Sequence, residues 1–277
     1  MSLTDHPTTP PKIVAIATDK YLTPTHTSFD PDLPGLPPKY GQDFTFGVGR
    51  AAPGGHDVGN TEAELKPKMK ELLSEFASHD TTGMAERLFA QFLKKNSSIF
   101  YFIDTDLNAA AAAHANIKHF CNAALGAPFP FGTPPAPGTT RIHQALKAAS
   151  WDIGKLVAPT DLGVPAFNTG SKVQGSEDFG NGLGLMINGV QHVYVVATHY
   201  HYDATSSMYH IALKYMFYDV FGLDDDDLQE FGATSDGWSS TDAAIGITAW
   251  WQLQHQHGYA PLVTRIVVER TYEVLAI

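Results

Sequence analysis

Residues 192–223, HVYVVATHYHYDATSSMYHIALKYMFYDVFGL, decide the fold. Two runs rich in β-branched and aromatic residues flank the turn-forming segment Asp203 to Ser207, the pattern of a long antiparallel hairpin. With Tyr202 opposite Met208, residues that face one another share parity along both strands. One face then carries Val193, Val195, Ala197, His199, His201, Tyr209, Ile211, Leu213, Tyr215, Phe217, Asp219 and Phe221, a core face with three ionisable intruders. The other carries His192, Tyr194, Thr198, Tyr200, Tyr202, His210, Lys214 and Tyr218, which suits solvent or a shallow groove. A slip of one residue would exchange the two faces, so this register is an expectation.

Upstream the pattern is helical. Leu65, Met69, Leu72, Leu73 and Phe76 recur at helical spacing, with Pro67 tolerable only in a first turn. Met84, Leu88, Phe89 and Phe92 predict a second helix, and Asp106 as N-cap predicts a third through Ile117, Cys121 and Leu125. APFPFGTPPAPG, residues 127–138, breaks it, and a fourth helix spans Thr140 to Ser150. Strands are expected at Leu183 to Asn188 and Leu262 to Glu269, with a helix between Ser240 or Thr241 and Gly258. Half of the 18 prolines precede residue 54, which predicts an irregular leader. The expected organisation is a proline- and glycine-rich leader at 1–60, a helical region at 61–160 and an α+β region at 161–277 carrying the site. Helices first and strands later imply an α+β fold, a helical half followed by an antiparallel sheet built on the hairpin.

Composition limits the function classes. The formal charge is −11, and residues 203–242 hold nine acidic side chains against Lys214 alone. Such a region repels a phosphate backbone unless metal ions intervene, so unaided nucleic-acid binding is not expected. The run is equally readable as a solvated rim. No stretch of about 18 apolar residues spans a membrane, so no transmembrane segment is expected, and no basic start with an apolar run serves as a cleavable signal. Cys121, the single cysteine, allows no internal disulfide and falls in an apolar helical pattern that reads as packing. There is no GxGxxG with its strand and acidic partner, no GxxxxGK[ST], no HExxH, no GxSxG and no CxxC, which disfavours the enzyme classes that depend on them.

Two constellations carry chemistry. Thr198-His-Tyr-His-Tyr-Asp203 places His199 and His201 on one side of a strand, where neutral imidazoles bind one divalent metal ion, with Asp203 as a third ligand. Histidines hydrogen-bonded near a strand end are the competing reading. Asp219 lies among Phe217, Phe221 and Leu223, where a carboxyl is costly unless paired and where its pKa rises into the range useful for acid/base work. A structural aspartate at the Gly222 turn is the competing reading there. Asp224 to Asp227 fit the first turn of a short helix and lack the EF-hand spacing. Trp250 and Leu253 read as core, and His255 and His257 as complements to a helix C-terminus.

Thr198-His199-Tyr200-His201-Tyr202-Asp203 locally resembles the HxHxD motif of the metallo-β-lactamase fold, but Ala204 stands where that motif continues with histidine. A broader resemblance rests on Asp219-Val-Phe-Gly-Leu-Asp224, Trp250-Trp-Gln-Leu-Gln-His255 and Gly258-Tyr-Ala-Pro-Leu-Val-Thr264, with His114, Phe120 and Phe167-Asn168 upstream. These resemble a bacterial family of unknown function whose members are similar to cargo of type VI secretion and polymorphic toxin systems. The resemblance implies an antibacterial effector, secreted without a cleavable signal peptide and delivered to a target cell. It also implies an immunity protein and a component of the secretion apparatus as partners. A fainter similarity links the Asp219-Val220-Phe221 strand to colicin M-like toxins, which cleave the lipid-linked peptidoglycan precursor; there the pattern has aspartate where Gly222 stands, and a following histidine-arginine pair that this chain lacks.

The leading expectation is a hydrolase of a cell-envelope or peptidoglycan-precursor substrate. Asp219 would be its acid/base, with His199, His201 and His210 positioning water, substrate or a divalent ion, and Tyr200, Tyr202 and Tyr218 binding substrate. One alternative is a non-enzymatic binding or carrier protein using the aromatic face that includes Tyr194. Another is a metal-dependent nuclease whose acidic cluster holds Mg²⁺ or Ca²⁺.

Overall fold

The computed structural model describes residues 12–24, 26–27, 37–125, 141–156, 163–167, 177–233 and 241–276; the stretch 127–138, Asn168 and Ser240 lie outside them. In chain order the elements are β1 (Lys12–Thr18), β2 (His26–Thr27), β3 (Lys39–Tyr40), α1 (Glu62–Phe76), α2 (Met84–Phe92), β4 (Phe100–Phe102), α3 (Thr105–Ala113) and α4 (Ala115–Leu125). There follow α5 (Arg141–Ala148), α6 (Glu177–Gly180), α7 (Leu183–Met186), β5 (His192–Asp203), β6 (Met208–Phe221), α8 (Asp225–Phe231), α9 (Asp242–His255) and β7 (Leu262–Leu275). The fold is α+β. Its main sheet has the order β1-β5-β6-β7-β4, antiparallel except for the short β4–β7 pair.

The hairpin forms, with its register broken once. His192 to Ala197 face Tyr218 to Leu213 as expected, but Thr198 is bulged out of the ladder, so that beyond it His199 faces Ala212, His201 faces His210 and Asp203 faces Met208. One extra residue reverses the parity of everything past it on that strand. Tyr200 and Tyr202 therefore turn to the helix-covered side, and His199 and His201 leave it. The switch is favoured by what it buries: Tyr200 stacks on Tyr209 at 4.6 Å, and Trp151 stacks on Tyr209 at 5.2 Å. Burying a large apolar side chain contributes about 2 kcal/mol, whereas burying two imidazoles without partners would cost energy.

Both sheet faces are covered along the lower hairpin. Val193, Val195, Leu213, Tyr215, Phe217 and Phe221 join the main core under the helices. Tyr194, Val196, Met216, Tyr218 and Val263 meet Tyr40 and Phe44 on the opposite side. The expectation that this second face meets solvent fails here, because the segment around 37–44 lies over it. His192 is buried with it, its Nδ1 2.9 Å from Thr18 Oγ1, and burial lowers its pKa to about 4.

The described residues of the leader are more ordered than its prolines suggest. The apolar run at Ile13 to Ala17 forms edge strand β1 beside β5, and residues 37–60 dock on the body. α1 begins at a capping box in which Thr61 Oγ1 accepts from Glu64 N, and it continues through Pro67 while Leu65, Met69 and Leu72 are buried. The long helix expected after Asp106 is two helices. Asp104, not Asp106, caps the first, and His114 takes an extended backbone between them. The strand expected at Leu183 to Asn188 is instead the helical turn α7, entered through Gly182 at φ 88° and capped by Asn181 Oδ1 on Leu183 N. Among the described residues no helix is long and apolar enough to cross a membrane.

Candidate functional site

β6 ends in Asp219-Val220-Phe221, and Gly222 to Asp224 lead straight into α8. Asp219 shares the parity of Phe217 and Phe221, so it points to the helix side; there it opens onto a cleft of about 680 Å³ between the α7 turn, α8 and α9. Only 6% of Asp219 is exposed. Its carboxylate accepts from the backbone N–H groups of Val220 and Asn188, yet its pKa stands well above the usual carboxylate range, because burial and then the Asp43 charge oppose ionisation.

Asp43 comes from the leader. Gln191 holds it, donating from Nε2 to Asp43 Oδ2 at 2.7 Å while its Oε1 accepts from Gly41 N at 3.1 Å. Gly222 makes that approach feasible, since a Cβ there would lie 2.3 Å from the Asp43 carbonyl oxygen. Gln254 completes the clamp: Nε2 lies 3.0, 2.6 and 3.1 Å from the carbonyl oxygens of Asp43, Thr45 and Leu223, and Oε1 accepts from Leu223 N. His255 donates from Nε2 to Leu223 O at 2.8 Å. Gln252 does the same service two residues earlier, bonding Asp57, Val58 and Gly59. The two glutamines of the Trp250–His255 run thus fasten the leader to α9.

Asp224 and Asp227 form a capping box at the start of α8, each accepting from the other's backbone N–H. This matches the expectation for the acidic run. One oxygen from each of Asp43, Asp224 and Asp227 still lies within 4.8 Å of the others, a spacing that a divalent ion could bridge. Burial and the neighbouring carboxylates raise Asp43 to about 7, and burial chiefly raises Asp227 to about 6. The cleft lining includes the carboxyl groups of Asp19, Asp43, Asp219, Asp224, Asp226, Asp227 and Glu230, and no lysine, arginine or histidine among the described residues.

These shifts predict a pH dependence with a definite sign. Each carboxyl holds its proton more tightly folded than unfolded, so the folded chain binds more protons between about pH 4 and the folded value, and their joint effect is to lower stability as pH rises through that window. Asp43→Asn removes its share. Variant and wild type should be equally stable near pH 4, with the variant ahead by about 4 kcal/mol near pH 8 in urea unfolding. A deficit of the same size at every pH would contradict the raised Asp43.

The other expected site residues lie elsewhere. His210 is nine residues before Asp219 on β6, about 30 Å along the strand, and His199 and His201 sit beside it. The structure therefore does not bring the three histidines to Asp219. Asp203 is engaged in its own turn, accepting from Thr205 N at 2.8 Å and Ser206 Oγ at 2.7 Å. Tyr200 and Tyr218 are buried on opposite faces of the sheet, Tyr194 with the latter, and Tyr202 packs partly against the helix-side core, so these tyrosines make no common surface. His114 pairs through Nε2 with Asp178 at 2.9 Å and through Nδ1 accepts from Asn116 N, its ring against Phe167. Cys121 is buried, its thiol pushed up to about 12 by burial. Comparisons with protein-family models, curated proteins and solved structures find no match for the chain.

Proposed function

We propose that the chain is a hydrolase of the bacterial cell envelope, acting as a delivered antibacterial effector, with the Asp219 cleft as its acid/base centre. The observation that carries the reading is a buried, proton-holding carboxyl at the wall of a cleft shared with Asp43 and Asp227. Carboxyl groups pushed to different pKa values in one site supply both an acid and a base near neutral pH. Asp219 gives its proton to the leaving atom as the scissile bond breaks, while the attacking water gives a proton to the carboxylate of Asp43 or Asp227. A lining so rich in carboxyls favours a neutral or amine-bearing substrate and disfavours a phosphorylated one. The compartment and the delivery rest on the sequence resemblance.

A second reading follows from the spacing of Asp43, Asp224 and Asp227. A divalent ion held there would lower their mutual repulsion and admit a phosphoryl substrate, as in a precursor pyrophosphatase or a nuclease. Expression in a Gram-negative host with and without an export signal separates compartments. Killing only on export supports the envelope hydrolase; killing only in the cytoplasm, with chelator-sensitive plasmid degradation by the purified chain, supports the nuclease. No growth defect in either compartment would remove the effector reading.

A further inference from the structure

The histidines at the far end of the hairpin stand apart from the cleft and are not used by it. Past the Thr198 bulge, His201 and His210 face each other directly across β5 and β6, and Glu273 of β7 is next in the same transverse row. His199 lies two residues along β5 on the same face. The His199–His201 and His201–His210 ring centres are each 6.3 Å apart, and Glu273 Oε1 stands 3.6 Å from His210 Nδ1. His199 is exposed, and His201 and His210 are half-buried.

We propose that His199, His201 and His210 bind one transition-metal ion of the Zn²⁺/Ni²⁺ class, with Glu273 orienting His210. Imidazole nitrogens favour these ions over Mg²⁺ or Ca²⁺. A nitrogen about 2 Å from a tetrahedral ion puts two ring centres roughly 5 Å apart, so the present spacing of 6.3 Å closes by about 1 Å when one ion is held. A small shift of the Glu273 carboxylate, now 3.6 Å away, lets it accept from His210 Nδ1 and leaves Nε2 to face the ion, as carboxylates commonly do for metal-binding histidines. The Thr198 bulge is what creates the set: in an unbroken register His199 and His201 would lie on the opposite face from His210. Asp203 is outside the set, because its carboxylate is committed to the turn. The ion would tie the tips of β5 and β6 together, at a distance from Asp219 that makes this independent of the cleft reaction.

The test is titration of the untagged full chain with NiCl₂ by calorimetry. One ion per chain is expected, with at least a tenfold loss of affinity in His201→Ala and in His210→Ala and none in Asp203→Asn or Asp227→Asn. Co²⁺ added to the wild type gives a second reading that needs no substitution, an absorption spectrum of nitrogen ligation. Absence of saturable uptake would overturn the proposal. So would uptake of equal strength in the His201→Ala/His210→Ala double variant, loss in Asp227→Asn, or a Co²⁺ spectrum of oxygen ligands alone.

Discussion

Asp219→Asn is expected to abolish killing by the exported chain, with a loss of hydrolytic rate of about a thousandfold, and to leave the fold intact. Asparagine matches the shape of the carboxyl and accepts the Val220 and Asn188 N–H groups, but it has no proton to give to a leaving group. Removing a positioned acid costs about 10²–10⁴ in rate. A purely structural aspartate predicts a different pair of results. Its replacement would weaken the chain and lower activity only as far as the folded population falls. In this protein the burial that raises Asp219 is a stability cost near neutral pH, so the neutral amide should hold or raise the unfolding free energy at pH 8. Unimpaired killing by Asp219→Asn would remove its proposed role; lost killing with a much lower melting temperature would assign it to the fold.

Gln254→Ala should be among the most destabilising single changes in the chain, at about 3 kcal/mol in urea unfolding. The side chain is fully buried, and its amide serves three carbonyl oxygens while its oxygen serves one N–H. Truncation leaves those groups without their partner in a site that water does not readily reach, at about 1–3 kcal/mol for each group that stays unsatisfied. The loss is also local in a telling way. Asp43 and Thr45 hang from this amide, so the Asp43 carboxyl should move out of the cleft and the acid-side stability described for Asp43→Asn should flatten. A cost below about 1 kcal/mol would mean that the Gln191 bonds to Gly41 and Asp43, the backbone bonds of Gly47 and Gly49 to α9 and the packing of Tyr40 and Phe44 hold the 41–49 segment without this amide.

How much of this was legible in the sequence varies with the range of the interaction. The hairpin, its turn and the register of its lower half follow from local alternation, and Asp219 stands out because a carboxyl breaks that alternation. The upper half does not follow, because the Thr198 bulge is decided by what Tyr200 packs against, and Trp151 is far away in the chain. Asp43 carries no local signal at all. It sits in a proline-rich leader, and its holding partner Gln191 is 148 residues away. The Trp250–His255 run was visible as a distinctive pattern, but its glutamines act through leader carbonyls that no periodicity locates. His114 likewise looks like one residue inside a helix until its extended backbone and its bond to Asp178 place it at a helix junction.

The central claim is that a proton held by Asp219 is spent on cleaving an envelope bond. The direct measurement is release of soluble fragments from isolated bacterial envelopes by the purified chain at neutral pH in the presence of chelator, with Asp219→Asn alongside. Release by the wild type, absent with the variant, is the predicted result. Envelopes left intact by the wild type, or degraded equally by both proteins, would contradict it.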